Sequence, residues 1–223
     1  MVRTDSGGGC GNNLHLFRLV ICGTGCISVR TALDKLLNGT VYTREVDGWS
    51  ISWESNGAYR HWCFQQHPAN DRTILVVMLN PGSLQGDGKD LTKDTTLRIL
   101  REVFETTGLN PFIINLFDLA TPSPKELFSN WGKRDSDKLI YENIKHEHFS
   151  GILYAYGDYG VADVDYPEIA DRIGLVKRNF KRLPEVELPQ NIDGTPKHPM
   201  GWQRQKMKPQ IKTIIKAFNM RAV

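Results

Sequence analysis

The sequence predicts an α/β fold: three layers, α/β/α, built on a mostly parallel four-stranded central sheet, with an N-terminal β-hairpin extension. Three observations carry that prediction. Unbroken Val/Ile/Leu runs such as residues 74–79 read as strands buried on both faces, the pattern of parallel sheets. Segments of helical periodicity separate these runs, so strand, helix, strand, helix, strand follow in order and imply right-handed crossovers. Between residues 41 and 66 the pattern changes to alternation, as in Trp49-Ser50-Ile51-Ser52-Trp53, which is that of an antiparallel hairpin.

Residues 1–40 open Gly-rich and carry no decisive periodicity, so they are an N-terminal extension without assigned structure, and residues 41–223 form a single domain. The hairpin of residues 41–66 turns at Asn56-Gly57 and flanks the sheet, with Trp49, Trp53 and Trp62 packing it there. The run 74–79 is the first central strand. It stops at Asn80-Pro81-Gly82 and opens into a small-residue loop, Ser83 to Gly88, rich in backbone donors. Residues 95–107 place Leu97, Leu100, Val103 and Phe104 at helical spacing and stop at Gly108. A second buried strand, 111–117, again runs into an asparagine, Asn115. A helix over 135–146 has Leu139 and Ile144 for its buried face, and a third strand, 151–157, ends at Gly157. The polar stretch 163–190, with Pro167, Pro184 and Pro189, holds a short helix and a strand near 183–188. His198-Pro199 lies on a loop, and from residue 209 Ile211, Ile214, Ile215 and Phe218 share one face of a basic C-terminal helix.

At 223 residues, 40% hydrophobic and 24% charged, the chain can bury a sizeable core. Its formal charge is only +3, yet residues 194–223 carry seven Lys or Arg and no acid, so the remainder is net negative. DNA lying against that end fits the asymmetry, because cations near phosphates release condensed counterions; a solvated basic helix fits it equally. Cys10, Cys22, Cys26 and Cys63 lack paired Cys-x-x-Cys spacing, which argues against an iron–sulfur cluster and for reduced thiols in a cytoplasmic protein. No apolar run approaches the roughly 18 residues of a membrane span, and the start lacks the apolar core and cleavage site of a secretory signal. His61 and His67 with Cys63 have no fourth ligand at zinc-site spacing, so they read as hairpin surface, and no metal or cofactor is expected.

Ligands of open α/β sheets sit just beyond the carboxyl ends of the strands. A parallel sheet would therefore gather Asn80 with its Gly-rich loop, Asn115 with Phe117, and the His198-Pro199 loop. Asn115 stands between Ile114 and Leu116, where a buried amide costs about 1–3 kcal/mol unless it finds partners. That cost argues for a use. Asn80 has the alternative of capping a turn before Pro81, and His198 that of an ordinary surface imidazole.

The order Met78-Leu79-Asn80-Pro81-Gly82, Ile114-Asn115-Leu116-Phe117, Tyr156-Gly157 and His198-Pro199-Met200 resembles a bacterial domain-of-unknown-function family with Met-Leu-Asn-Pro-Ser and Asn-Leu-Phe motifs (domain of unknown function 1643). It also resembles the wider uracil-DNA glycosylase superfamily, over residues 61–205. That resemblance implies a uracil-DNA glycosylase-like fold and a monofunctional DNA glycosylase, which flips out a pyrimidine and hydrolyses its N-glycosidic bond to leave an abasic site. In such a site Asn80 orients the attacking water, and Asp94, which suits a helix N-cap equally well, supplies an acid beside it. His198 donates to the departing base oxygen or a phosphate. Asn115 binds the base edge, Phe117 stacks on the ring, and Pro81, Gly82, Asp87 and Gly157 complete the base pocket. The Met200-Gly201-Trp202 loop wedges into the duplex, and Arg204, Lys206 and Lys208 meet the backbone.

Strictly uracil-specific members of the superfamily carry tyrosine where this chain has Gly82. An ungated pocket admits a 5-substituted or bulky modified pyrimidine, of the kind phages put in their genomes, so antiviral defence is one expected use. The alternative is a non-catalytic nucleic-acid or nucleotide-binding module with the Gly-rich loop as phosphate cradle. DNA is the expected partner; no protein partner is inferable.

Overall fold

The computed structural model describes residues 41–46, 48–54, 58–68, 71–82, 94–131, 136–145, 147–158, 166–186 and 190–202. Six strands form one sheet: β1 (Val41–Val46), β2 (Trp49–Glu54), β3 (Arg60–Gln65), β4 (Thr73–Met78), β5 (Asn110–Asn115) and β6 (Gly151–Tyr154), in the spatial order β1-β2-β3-β5-β4-β6. The helices are α1 (Thr95–Thr107), α2 (Pro124–Asn130), α3 (Ser136–Ile144), α4 (Pro167–Asn179) and the short α5 (Pro199–Trp202).

This sheet corrects the expected mostly parallel four-stranded sheet with a separate hairpin extension. The fold is α/β, but its sheet is mixed: β1–β2, β2–β3 and β3–β5 are antiparallel, while β4 pairs in parallel with β5 and β6. The hairpin misled because its alternation predicts one wet face, whereas β3 is buried at every position and β2 at all but one. Its polar residues are buried with partners, as Ser50 is by its hydroxyl bond to Glu45. β3 then docks on the free edge of β5, with Trp62, Cys63 and Phe64 opposite Ile114, Ile113 and Phe112. Trp49, Trp53 and Trp62 are buried, as expected of them.

Alternate residues of the central strands feed two apolar clusters, one on each face of the sheet. Leu75, Val77, Phe112, Ile114, Ile152 and Tyr154 pack with residues of α2, α3 and α4, whereas Ile74, Val76, Met78, Ile113 and Leu153 pack with α1 and Trp202. Burying Leu97, Ile99, Leu100, Val103 and Phe104 is what holds α1, at about 1.5–3 kcal/mol for each large side chain. It starts where Asp94 Oδ1 accepts from Thr96 N (2.9 Å) and Leu97 N (3.1 Å), and stops at Gly108, whose φ of 67° only glycine adopts freely. In α3 the expected inward Leu139 is 46% exposed, and Ile140 and Tyr141 are buried with Ile144. Near 183–188 the expected strand is a single parallel bridge, Ile152 to Glu185. The extension 1–40 and the basic helix from residue 209 lie outside the described residues.

Candidate functional site

Met78 stands opposite Asn115 in the parallel ladder, and the bonding continues past both strand ends. Leu116 N donates to Met78 O (2.8 Å), Phe117 N to Leu79 O (2.9 Å) and Thr121 N to Pro81 O (3.1 Å). Those bonds hold the two strand ends together, with Asn80 two residues beyond the Met78–Asn115 pair. Around them opens a cavity of about 370 Å³ lined by Asn80, Gly82, Asp94, Asn115, Gly157, His198 and Met200, together with Arg60, Thr121, Tyr156 and Asp158. Ligand pockets run from roughly 300 to 1,000 Å³, so this one is of ligand size.

The Asn80 amide is fixed by its nitrogen. Nδ2 donates to Pro81 O (2.8 Å) and Thr121 O (3.1 Å), which uses both N–H groups and leaves Oδ1 as the uncommitted acceptor. Asn80 thus ties a turn, as the alternative reading of it held, and also faces the cavity. Asn115 is 5% exposed, and its carboxamide has no hydrogen bond among the described residues. Its backbone is held instead, by the Tyr141 hydroxyl donating to Asn115 O. A buried amide with an idle donor and acceptor at a cavity wall is a recognition group for an edge that offers both.

His198 reaches the cavity from the other side of the fold. Trp202 anchors it: the indole is fully buried in the cluster beneath α1, Nε1 donates to Lys197 O (3.1 Å), and Gly201 N donates to His198 O (2.8 Å). Met200 N donates to His198 Nδ1 (3.2 Å), so in the neutral ring the proton sits on Nε2, a donor. Burial pushes the His198 pKa below its ordinary value of 6.5, against the opposing pull of Asp94 and Asp158, which favours that neutral donor. Because the unfolded chain then binds this proton more readily, His198 imposes no penalty above about pH 6.5. Stability is lost as pH falls below 6.5, until the folded form is protonated too. A His198→Gln variant is expected to lose less melting temperature than the parent between pH 7 and pH 5, read from thermal unfolding at each pH; an identical acid slope removes the claim.

Asp94 fills both roles that its position allows. Oδ1 caps α1, and Oδ2 lies 3.7 Å from Arg60 Nη1 at the cavity wall. Gly157, with φ of 87°, turns the chain away from the end of β6 in a conformation that would strain any side chain.

Three placements correct the sequence reading. Phe117 is a core residue, 1% exposed, edge-on to Phe128 and Trp131 with the Arg172 guanidinium 5.3 Å from its ring, so it does not line the cavity. Tyr156 is the aromatic that does. Trp202 is buried and unable to wedge into a duplex, whereas Met200 beside it is 47% exposed. His61 is no surface group either: it is 1% exposed, with Nδ1 3.0 Å from Asp118 Oδ2. Pro81 is buried behind Asn80; Asp87, Arg204, Lys206 and Lys208 lie outside the described residues. Missed from sequence were Arg60, Thr121 and Asp158, each a lone polar residue whose neighbours come from distant segments.

Fold and site together define an α/β protein with a ligand-sized cavity beyond the ends of two parallel strands, walled by two carboxamides, an imidazole and an ion pair. The chain belongs to a family described as a protein of unknown function (DUF1643), whose model matches residues 59–200. That span holds every described cavity residue named above. No curated protein matches the chain. No described helix is long and apolar enough to cross a membrane.

Proposed function

We propose that this protein is a monofunctional DNA glycosylase of the uracil-DNA glycosylase type, which flips out a 5-substituted or bulky modified pyrimidine and hydrolyses its glycosidic bond. The observation that carries the reading is the meeting of Asn80, Asn115 and His198 at one cavity from three separate segments. Extruding a base costs a few kcal/mol, which contacts in the pocket must recover. The idle donor and acceptor of Asn115 match the Watson–Crick edge of a pyrimidine. As the C1′–N1 bond breaks, its electron pair leaves with the base, so a donor is needed beside a base oxygen, and the His198 Nε2–H supplies one. Asn80 Oδ1 accepts one hydrogen of the attacking water and turns the oxygen toward C1′; the proton that this water loses balances the departing base, released as the neutral N1–H compound. An amide orients a water without deprotonating it, so the rate rests on leaving-group stabilisation.

Seven basic residues after position 193 supply the charge for a DNA backbone. Gly82 brings no side chain to the pocket, so this position sets no gate against a substituent on the ring, a property that suits defence against phages with modified DNA. Mass spectrometry of bases released from duplexes containing uracil, mismatched thymine, 5-hydroxymethylcytosine and its glucosylated form tests chemistry and substrate together. A modified pyrimidine is expected among the products, with the strand left uncut. Release of uracil alone removes the modified-base assignment, and release of nothing removes the enzyme.

A further inference from the structure

Arg60 lines the cavity and takes no part in base release as proposed. Its side chain is 8% exposed, and Nε and Nη1 are buried with no hydrogen-bond partner among the described residues. Asp94 Oδ2 neutralises it at 3.7 Å, a separation that is electrostatically close but too long for a hydrogen bond. The carboxylate does not move nearer, because its other oxygen is bound to two backbone N–H groups at the start of α1. At the start of β3, Arg60 is held by its own backbone bond to Asp118 O (2.8 Å). Two rigid supports therefore keep a cation and an anion apart, each with unsatisfied capacity, on the wall of a cavity. Buried ion pairs repay their desolvation when their remaining donors and acceptors are filled, and none of the described residues fills Nε or Nη1 of Arg60.

A gap between a fixed donor and a fixed acceptor suits a group that is both, and an aliphatic hydroxyl is such a group. It accepts from the guanidinium while donating to Asp94 Oδ2. Gly82 stands beside it: a Cβ built there would lie 3.9 Å from that same Oδ2 and meet no other described atom within 4 Å. We infer that Arg60 and Asp94 form a subsite for a hydroxyl carried by the base on a substituent that passes Gly82. This inference rests on the glycosylase reading and narrows it, from any large pyrimidine to a hydroxylated one. Arg60 is here a specificity-determining residue.

Wild-type protein is presented with duplexes that differ only in the base: 5-methylcytosine, 5-hydroxymethylcytosine and glucosylated 5-hydroxymethylcytosine. Released base is measured under single-turnover conditions. At least one hydroxylated base is expected to leave about tenfold or more faster than 5-methylcytosine, the factor that a charge-assisted hydrogen bond supplies. Which of the two responds tells whether the hydroxyl belongs to the hydroxymethyl group or to the sugar. Arg60→Met is expected to bring the ratio of kcat/KM toward one, and Arg60→Lys, which keeps charge without the fork, to restore part of it. A wild-type ratio near one overturns the subsite whether or not the variants fold, and so does an Arg60→Met protein that loses both substrates equally or keeps the full preference. No release from any duplex removes the glycosylase reading itself, and the subsite with it.

Discussion

Asn80→Ala is expected to slow base release by about two to three orders of magnitude, the usual loss when one preorganised group at a reacting centre is deleted, while leaving DNA affinity within a fewfold of the parent. The structure makes the variant informative because the amide has two separable duties. Its nitrogen ties Pro81 O to Thr121 O, and its oxygen is uncommitted. Alanine deletes both, so folding also suffers, by about 1–3 kcal/mol for two lost bonds that leave carbonyls behind. Rates must therefore be taken well below the shifted melting temperature, with the folded fraction checked by near-ultraviolet circular dichroism. A folded Asn80→Ala protein that still releases base at the parental rate shows that Asn80 is a turn residue only. Lost DNA binding with no chemistry in the parent favours a binding module instead.

Asn115→Leu carries the second large effect, seen in one of two measurements and not in the other. The carboxamide is buried, has no hydrogen bond among the described residues and adjoins a 370 Å³ cavity that can take the extra volume. Replacing an amide that faces this cavity with an apolar side chain costs the fold little, so stability is expected to stay within about 1 kcal/mol of the parent. Base release is expected to fall by about a hundredfold, because a leucine offers nothing to the edge of the flipped base and excludes the water that could. Thermal unfolding and single-turnover release, measured on the same preparation, test the pair of claims. A drop in both shows that the amide supports the fold; an unchanged rate shows that no ligand edge meets it. A substitution that keeps stability while cutting activity marks a residue kept for function.

The parts of the molecule that could be read from the chain are those specified by near neighbours. Residues 95–107 form the expected helix because an N-cap, an apolar periodicity and a terminal glycine all lie within one short segment. The corner at Asn80 was visible for the same reason, an apolar run broken by Asn-Pro-Gly. Asn115 stood out because an amide inside an apolar strand has a cost that can be estimated without knowing the fold.

The error in the sheet arose because alternation reports burial only when one face of a strand is wet. β2 and β3 are covered on both faces, so Trp62 and Cys63 are both buried, and a segment taken for a separate flanking hairpin became three strands of the one sheet. Phe117 and Trp202 are aromatic, and aromatic residues serve stacking sites and cores alike. Contact with Trp131 and Arg172 in one case, and with the cluster under α1 in the other, decides for the core.

From the chain alone came the α/β class, the strand-end asparagines and the histidine loop, because each is written in residues a few positions apart. Only the folded protein decided the mixed pairing of the sheet, the tautomer of His198 and the charged gap between Arg60 and Asp94. These depend on which segments meet, and contacts between residues tens of positions apart are set by the packing of the whole sheet, which no short window of sequence contains.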